Sequence, residues 1–142
     1  MNKKITSDSD FVAPIPYALS TVSAGFPSPA DDYIENNLSL SELLIRNNLS
    51  TFLMKASGDS MADVGINHDD ILLVDRSLEA KNRDIVIAII EGSLTVKKLL
   101  IKTDGSVVLK SENSKHNDIK IPEINDLEVW GVVTSVIHQF IK

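Results

Sequence analysis

From residue 51 onward the chain is a succession of short apolar runs separated by turn signals, a pattern that limits the possible folds more than any other feature. The runs are rich in Ile and Val, which favour strands. Glu91-Gly92 and Thr103–Ser106 supply two of the turns, and the second is typical of a hairpin. Six strands are predicted, over Phe52–Ala56, Ile71–Val74, Ile85–Ile90, Leu94–Lys102, Val107–Leu109 and Val129–Ile137. The expected fold class is mostly β, with short and largely antiparallel strands.

The composition is that of one ordinary globular domain, since 43% of the 142 residues are hydrophobic and 24% are charged. No apolar run approaches the roughly 20 residues that cross a bilayer, and no signal-peptide core follows Met1. We therefore expect a cytoplasmic protein without a membrane role. Because cysteine is absent, disulfides, thiolate metal sites and cysteine nucleophiles are excluded.

The charge balance argues against a nucleic-acid-binding protein. Fourteen Lys and Arg residues against twenty Asp and Glu residues give a net charge of −6. Strong binding through phosphates needs clustered positive charge, and the pairs Lys3-Lys4 and Lys97-Lys98 form no basic stripe. Direct, strong nucleic-acid binding is therefore not expected, and a protein partner is favoured.

The first 29 residues hold four of the five prolines. Because proline favours extended backbone and lacks a hydrogen-bond donor, this stretch is predicted to be an extended arm rather than a core element. Its apolar side chains, such as Val12, Tyr17 and Phe26, are too many for a purely solvated tail. We expect the arm to dock on its own domain or on a partner.

A short helix is predicted after Ser39, which stands three residues before Glu42 in the spacing of a capping box. Leu43, Leu44 and Ile45 follow, and Asn47-Asn48 supply the stop. A further turn could open at Ser28-Pro29 and run through Tyr33 and Ile34.

Gly58-Asp59-Ser60-Met61 is the most distinctive local motif, placed where a turn should follow the first strand of the domain. Gly58 can adopt unusual backbone angles, which would leave the Ser60 hydroxyl exposed beside backbone N–H groups. An oxyanion site needs such groups. In most proteins, however, Gly-Asp-Ser is simply a turn.

A nucleophilic serine needs a base, and lysine is the better candidate. His68, His116 and His138 all lie in polar or terminal settings typical of surface residues. Lys97 lies within an apolar strand and shares a face with Thr95 and Leu99. Either it extends to water, or it is partly buried, and burial would lower its pKa and allow it to accept a proton. The spacing leaves both alternatives open.

A metal site has little support. His68-Asp69-Asp70 could ligate a metal, but no second cluster of ligands accompanies it. No metal and no cofactor are expected.

Four motifs in order give the chain a family resemblance. Lys55–Met61, Asp70–Asp75, Asp84–Ala88 and Leu94–Leu99 resemble the motifs of the LexA/UmuD self-cleaving serine peptidases, a family that uses a Ser/Lys dyad. Ala24–Tyr33 is similar to the cleavage region of UmuD-like members, and Gly131–Val133 also fits. The resemblance spans roughly residues 20–140.

The resemblance implies a role for each matching residue. Ser60 would be the nucleophile, Lys97 the general base, and Ala24-Gly25 the bond that is cut. The backbone N–H groups of Ser60 and Met61 would hold the oxyanion. The implied organisation is a removable arm over residues 1–24, a linker with a short helix over 25–50, and a LexA/UmuD-type β-rich peptidase domain over 51–142.

The resemblance also implies a cellular role in the SOS response. RecA filaments on single-stranded DNA would stimulate cleavage, and the shortened homodimer would serve as the accessory subunit of an error-prone, UmuC-type translesion polymerase. With only 24 residues before Gly25, no room is expected for the helix-turn-helix of a repressor. The alternatives are a non-enzymatic β-rich interaction module, or a dyad-bearing transcriptional regulator that acts through a partner. A signal-peptidase-like enzyme is disfavoured because no membrane anchor is visible.

The sequence departs from the family pattern at two positions. Arg83 precedes Asp84 where the family usually has Gly, which changes a turn. Ala24 stands where UmuD of enteric bacteria typically has Cys, and alanine is the choice seen in LexA.

Overall fold

The computed structural model describes residues 15–18, 21–26 and 35–141, of which residues 35–38 are described by their backbone alone. The chain divides into two units, Met1–Ile45 and Arg46–Lys142. The arm's residues 1–14 and the turn expected at Ser28-Pro29 lie outside the described residues.

The described part of the first unit contains two strands and a helix. Strand β1 (Ile15–Ala18) pairs antiparallel with β2 (Glu35–Leu38). Neither strand is predicted from the sequence, because Pro16 and the pair Asn36-Asn37 are poor strand formers. Helix α1 (Leu40–Leu44) confirms the predicted helix, and its N-cap Ser39 accepts a 3.2 Å hydrogen bond from the Ser41 N–H through Oγ.

The second unit is built on one seven-stranded sheet. Its strands are β3 (Thr51–Lys55), β4 (Ile71–Asp75), β5 (Ile85–Ile90), β6 (Ser93–Ile101), β7 (Val107–Lys110), β8 (Ile119–Ile121) and β9 (Glu128–Ile137). They lie in the order β3-β4-β9-β5-β6-β7-β8, and each neighbouring pair is antiparallel. The six predicted strands and the mostly β fold class are confirmed, and β8 is an addition.

Both faces of the sheet are apolar where its central strands meet. Successive side chains of a strand point to opposite faces, so Ile87 and its neighbour Val86 enter different core clusters. The Ile87 cluster also contains Ala56, Met61 and Ile66, which belong to the connection between β3 and β4. This connection carries Ser60 and is therefore fastened to the core.

A two-residue turn fixes the register of β5 and β6. Glu91 and Gly92 have φ values of +49° and +77°, and a turn with both central residues in this region matches the twist of a hairpin. The resulting register places Lys97 opposite Val86.

Candidate active site

The loop between β3 and β4 presents Ser60. Its two ends are closed by 2.8 Å hydrogen bonds, in which the Ala56 N–H donates to the Asp70 carbonyl and the Asp69 N–H donates to the Ala56 carbonyl. Gly58 has a φ of +89°, a conformation that side chains oppose, which explains glycine at this turn. Ser60 itself is half-buried.

Lys97 reaches Ser60 from β6. Its side chain points to the same face as Leu99, and only 7% of the residue is exposed. Lys97 Nζ lies 3.1 Å from Ser60 Oγ, within hydrogen-bond distance. Of the two alternatives that the sequence left open for Lys97, the structure therefore selects the buried one.

The setting of Lys97 shifts its protonation equilibrium toward the neutral amine. Burial lowers the pKa of Lys97 because the ammonium loses water, while the nearby carboxylate of Asp118 raises the pKa by less. A lower pKa increases the fraction of neutral lysine near physiological pH. A neutral amine next to a hydroxyl can accept its proton, which is how a serine becomes nucleophilic.

A cavity of about 240 Å³ opens beside Ser60. Its wall includes the apolar side chains of Met54, Ile66, Leu72 and Ile87. Within the part of the chain that the structure describes, neither the Ser60 N–H nor the Met61 N–H donates a hydrogen bond. The cavity can thus take a small apolar group, and Ser60 and Met61, whose N–H groups are without an acceptor among the described residues, belong to its wall.

All three histidines contact residues of the Ser60 loop, which is the connection 56–70 between β3 and β4 and includes His68 itself. The sequence does not predict these contacts. His68 Nδ1 accepts a 3.0 Å hydrogen bond from the Gly58 N–H. His116 Nε2 lies 2.7 Å from Asp59 Oδ1, and His138 pairs with the carboxylate of Asp70, which is only 2% exposed. Their side chains are partly exposed, as the sequence indicates, but no local signal shows these distant partners.

The predicted cut site belongs to the first unit. Ala24 and Gly25 lie in a described stretch, residues 21–26, whose residues are all exposed. The Gly25 N–H donates to Ser23 Oγ at 3.2 Å, and a Cβ on Gly25 would meet no atom within 4 Å. The backbone around this bond is accessible within its unit.

Across residues 15–18, 21–26 and 35–141, no group of three or more His, Asp or Glu side chains is placed to hold a metal ion. The same described residues contain no helix that is long and apolar enough to span a membrane.

Residues 16–134 match the model of a protein family described as peptidase S24-like. The chain belongs to the peptidase S24 family. The relatives of this S24 chain agree with that assignment. Protein MucA of Salmonella typhimurium is 39% identical over 129 residues, which cover 91% of this chain and 88% of MucA. Protein ImpA of Shigella flexneri is 38% identical over 134 residues, which cover 94% of this chain and 89% of ImpA.

A repressor is also among the relatives of this S24 chain. The LexA repressor of Clostridium novyi (strain NT) is 33% identical over 122 residues, which cover 86% of this chain and 59% of the repressor. Together with MucA and ImpA, this similarity confirms the membership in the LexA/UmuD family that the four sequence motifs predict.

Proposed function

We propose that this protein cuts its own chain between Ala24 and Gly25, with Ser60 as the nucleophile and Lys97 as the general base. The observation that carries the proposal is the 3.1 Å separation between Lys97 Nζ and Ser60 Oγ. A lysine that is 7% exposed and has its pKa lowered by burial is suited to this contact. Membership of a peptidase family supports the same reaction.

In the proposed chemistry Lys97 accepts and returns a proton twice, once as the ester forms and once as it is hydrolysed. Neutral Lys97 accepts the hydroxyl proton as Ser60 Oγ bonds to the Ala24 carbonyl carbon. The oxyanion is held by the N–H groups of Ser60 and Met61. The Lys97 ammonium then gives its proton to the Gly25 nitrogen as the C–N bond breaks. Neutral Lys97 next deprotonates a water molecule, whose oxygen bonds to the ester carbonyl carbon. The Lys97 ammonium returns the proton to Ser60 Oγ as the ester C–O bond breaks, which frees the Ala24 carboxylate and restores both residues.

The cavity beside Ser60 is consistent with a small residue before the cut. Its apolar wall of Met54, Ile66 and Leu72 favours a methyl group such as that of Ala24 over a charged side chain.

The proposed cellular role is that of a UmuD-like protein. Removal of residues 1–24 from the 142-residue chain leaves a product of 118 residues, composed of the linker 25–50 and the peptidase domain 51–142. We propose that RecA filaments on single-stranded DNA stimulate the cut, and that the product acts as a homodimer with a UmuC-type polymerase. Similarity to MucA and ImpA along most of their length supports this role.

The test is the intact mass of the purified chain during incubation at a series of pH values, alone and with RecA, ATP and single-stranded DNA. We expect a fragment that begins at Gly25, formed faster as pH rises and Lys97 loses its proton. Ser60→Ala and Lys97→Ala should stay intact. Lys98→Ala is the matched control for the lysine, because Lys98 alternates with Lys97 on β6 and lies 3.5 Å from Glu112 instead.

A wild-type chain that stays intact under every condition would overturn the proposal and favour a non-enzymatic interaction module. A cut at another bond would preserve the dyad but not the assignment of Ala24-Gly25. Cleavage that survives Lys97→Ala would exclude Lys97 as the base.

A further inference from the structure

The peptide group between Asp59 and Ser60 is held from the far end of the sheet. Asn113 lies in the connection between β7 and β8, and its Nδ2 donates a 2.8 Å hydrogen bond to the Asp59 carbonyl oxygen. The same oxygen accepts a 3.1 Å bond from the Ala62 N–H. Both hydrogen-bonding sites of this carbonyl are therefore occupied.

The orientation of the Asn113 side chain is determined by its second contact. Asn113 Oδ1 accepts a 3.0 Å hydrogen bond from the Lys115 N–H, and only the oxygen of an amide can do so. The Nδ2 group is thereby directed to Asp59. The Asn113 carbonyl also accepts the His116 N–H at 3.1 Å, so that the donor is preorganised by its own turn.

Because a peptide unit is planar, the hydrogen bond from Asn113 to the Asp59 carbonyl also determines the direction of the Ser60 N–H. The carbonyl oxygen of Asp59 and the N–H of Ser60 belong to one trans peptide unit, so they point in opposite directions. Fixing the oxygen toward Asn113 fixes the direction of the Ser60 N–H, which donates no hydrogen bond among the described residues.

We propose that Asn113 is a positioning residue, which sets the Asp59–Ser60 peptide plane so that the Ser60 N–H faces the developing oxyanion. This inference rests on the proposed self-cleavage and adds a residue outside the Ser60/Lys97 pair. It also gives the connection between β7 and β8 a part in the reaction, although that connection contributes no reacting group.

The first test is the pH–rate profile of self-cleavage in the full chain. We expect Asn113→Ala to lower the plateau rate by about tenfold to a hundredfold, which is less than the effect of deleting an oxyanion donor. The midpoint of the profile should not move, because the contact of Lys97 with Ser60 is unchanged. Asn113→Asp should be at least as slow, since it keeps the Lys115 contact but turns an oxygen toward the Asp59 carbonyl.

Two neighbouring variants separate peptide orientation from general loosening of the loop. His116→Ala removes the contact with the Asp59 carboxylate but leaves the carbonyl bond, so its plateau should fall less than that of Asn113→Ala. Ser114→Ala, in the same exposed loop, should match the wild type. Equal plateaus for Asn113→Ala and the wild type, or a loss accompanied by a shifted midpoint, would overturn the inference.

A measurement without cleavage keeps the two proposals distinguishable. In a Ser60→Ala background, residual dipolar couplings report the direction of the residue 60 N–H bond. Adding Asn113→Ala should change this coupling more than those of the sheet. An unchanged coupling rejects the inference even if the wild type cleaves. If the coupling changes and the wild-type chain never cleaves, the proposed function is rejected, while Asn113 is retained as the residue that orients this peptide.

Discussion

Burial of Lys97 lowers its pKa, and the carboxylate of Asp118 raises that pKa by a smaller amount. Asp118 is not free to move away, because its Oδ1 accepts a 3.1 Å hydrogen bond from the Ser111 N–H. The pKa of the proposed base therefore lies below the ordinary lysine value but above the value that burial alone would give. An acidic residue on the connection before β8 thus limits how much neutral lysine is present at a given pH.

Asp118→Asn should accelerate self-cleavage below the midpoint of the pH–rate profile. Removing the negative charge lowers the pKa of Lys97 further, which increases the neutral fraction at a fixed pH. The midpoint should move to lower pH, whereas the plateau stays close to that of the wild type because the amide oxygen can still accept the Ser111 N–H. The measurement is the cleavage rate against pH, and Asp104→Asn, in the β6–β7 turn, is the control. A midpoint that moves upward would contradict the stated effect of Asp118.

Lys97→Met should stabilise the folded chain at neutral pH. Because the pKa of Lys97 is lowered on folding, the unfolded chain binds more protons between that lowered pKa and the ordinary lysine pKa of about 10.4. The free energy of unfolding of the wild type therefore rises with pH between these two pKa values. Below the lowered pKa, the folded chain carries the full destabilisation from the buried ammonium. Each unit of lowering corresponds to about 1.4 kcal/mol.

Urea unfolding of the chain with Lys97 and of its Lys97→Met variant, both in a Ser60→Ala background, measures the difference in their free energies of unfolding. The advantage of Lys97→Met should shrink as pH approaches the ordinary lysine value. Lys98→Met, whose side chain is more exposed and ion-paired, should show no comparable gain. A Lys97→Met chain that is less stable at neutral pH would show that the ammonium is better accommodated than its burial indicates.

Arg83→Gly should stabilise the fold without affecting cleavage. Arg83 has a φ of +76°, a left-handed conformation that costs an L-residue about 1–2 kcal/mol. The greater freedom of glycine in the unfolded chain offsets about 0.5–1 kcal/mol of this. The net gain should be about 0.5–1 kcal/mol by thermal or chemical unfolding. Arg83→Ala is the control, because it removes the side chain but keeps the unfavourable angle and should gain nothing.

Gly131→Ala should destabilise the chain by about 1–3 kcal/mol, the usual cost of overpacking. A Cβ at Gly131 on β9 would lie 2.6 Å from Val74 Cγ1 on β4. Unfolding of the single variants and of the double variant with Val74→Ala measures the conflict directly. The cost of Gly131→Ala should be smaller when Val74 is already truncated, and equal costs in both backgrounds would place the strain elsewhere.

Most of the sheet is predictable from the sequence because its strands are continuous apolar runs. Strand β8 is missed, since Ile119–Ile121 is three residues long with Asn117-Asp118 before it and Pro122 after it. The left-handed angle of Arg83 agrees with the departure from the family's glycine, so a family pattern can mark backbone strain at one residue.

The candidate site is less accessible to sequence reasoning. The alternation in β6 limits Lys97 to one of two faces but does not say which face is covered. Strand order decides this, and nothing local shows that β9 lies between β4 and β5. The contacts of Asn113 and His116 with Asp59 span more than fifty residues and leave no periodic signal. The roles of Ser60, Lys97, Ala24 and Gly25 stay predictions for the cleavage assay to decide.

The position of β9 has a consequence for when the site can form. Ser60 lies between β3 and β4, and Lys97 lies on β6. Among the strands that the structure describes, β9 alone joins β4 to β5 and so connects these two parts of the sheet. A nascent chain that has emerged from the ribosome up to residue 127 contains Ser60, Lys97 and the proposed cut site, but not β9, the strand that joins the two parts of the sheet. We expect a nascent chain that lacks β9 to be inert in the proposed reaction, because its Ser60 and Lys97 are not yet joined through the sheet.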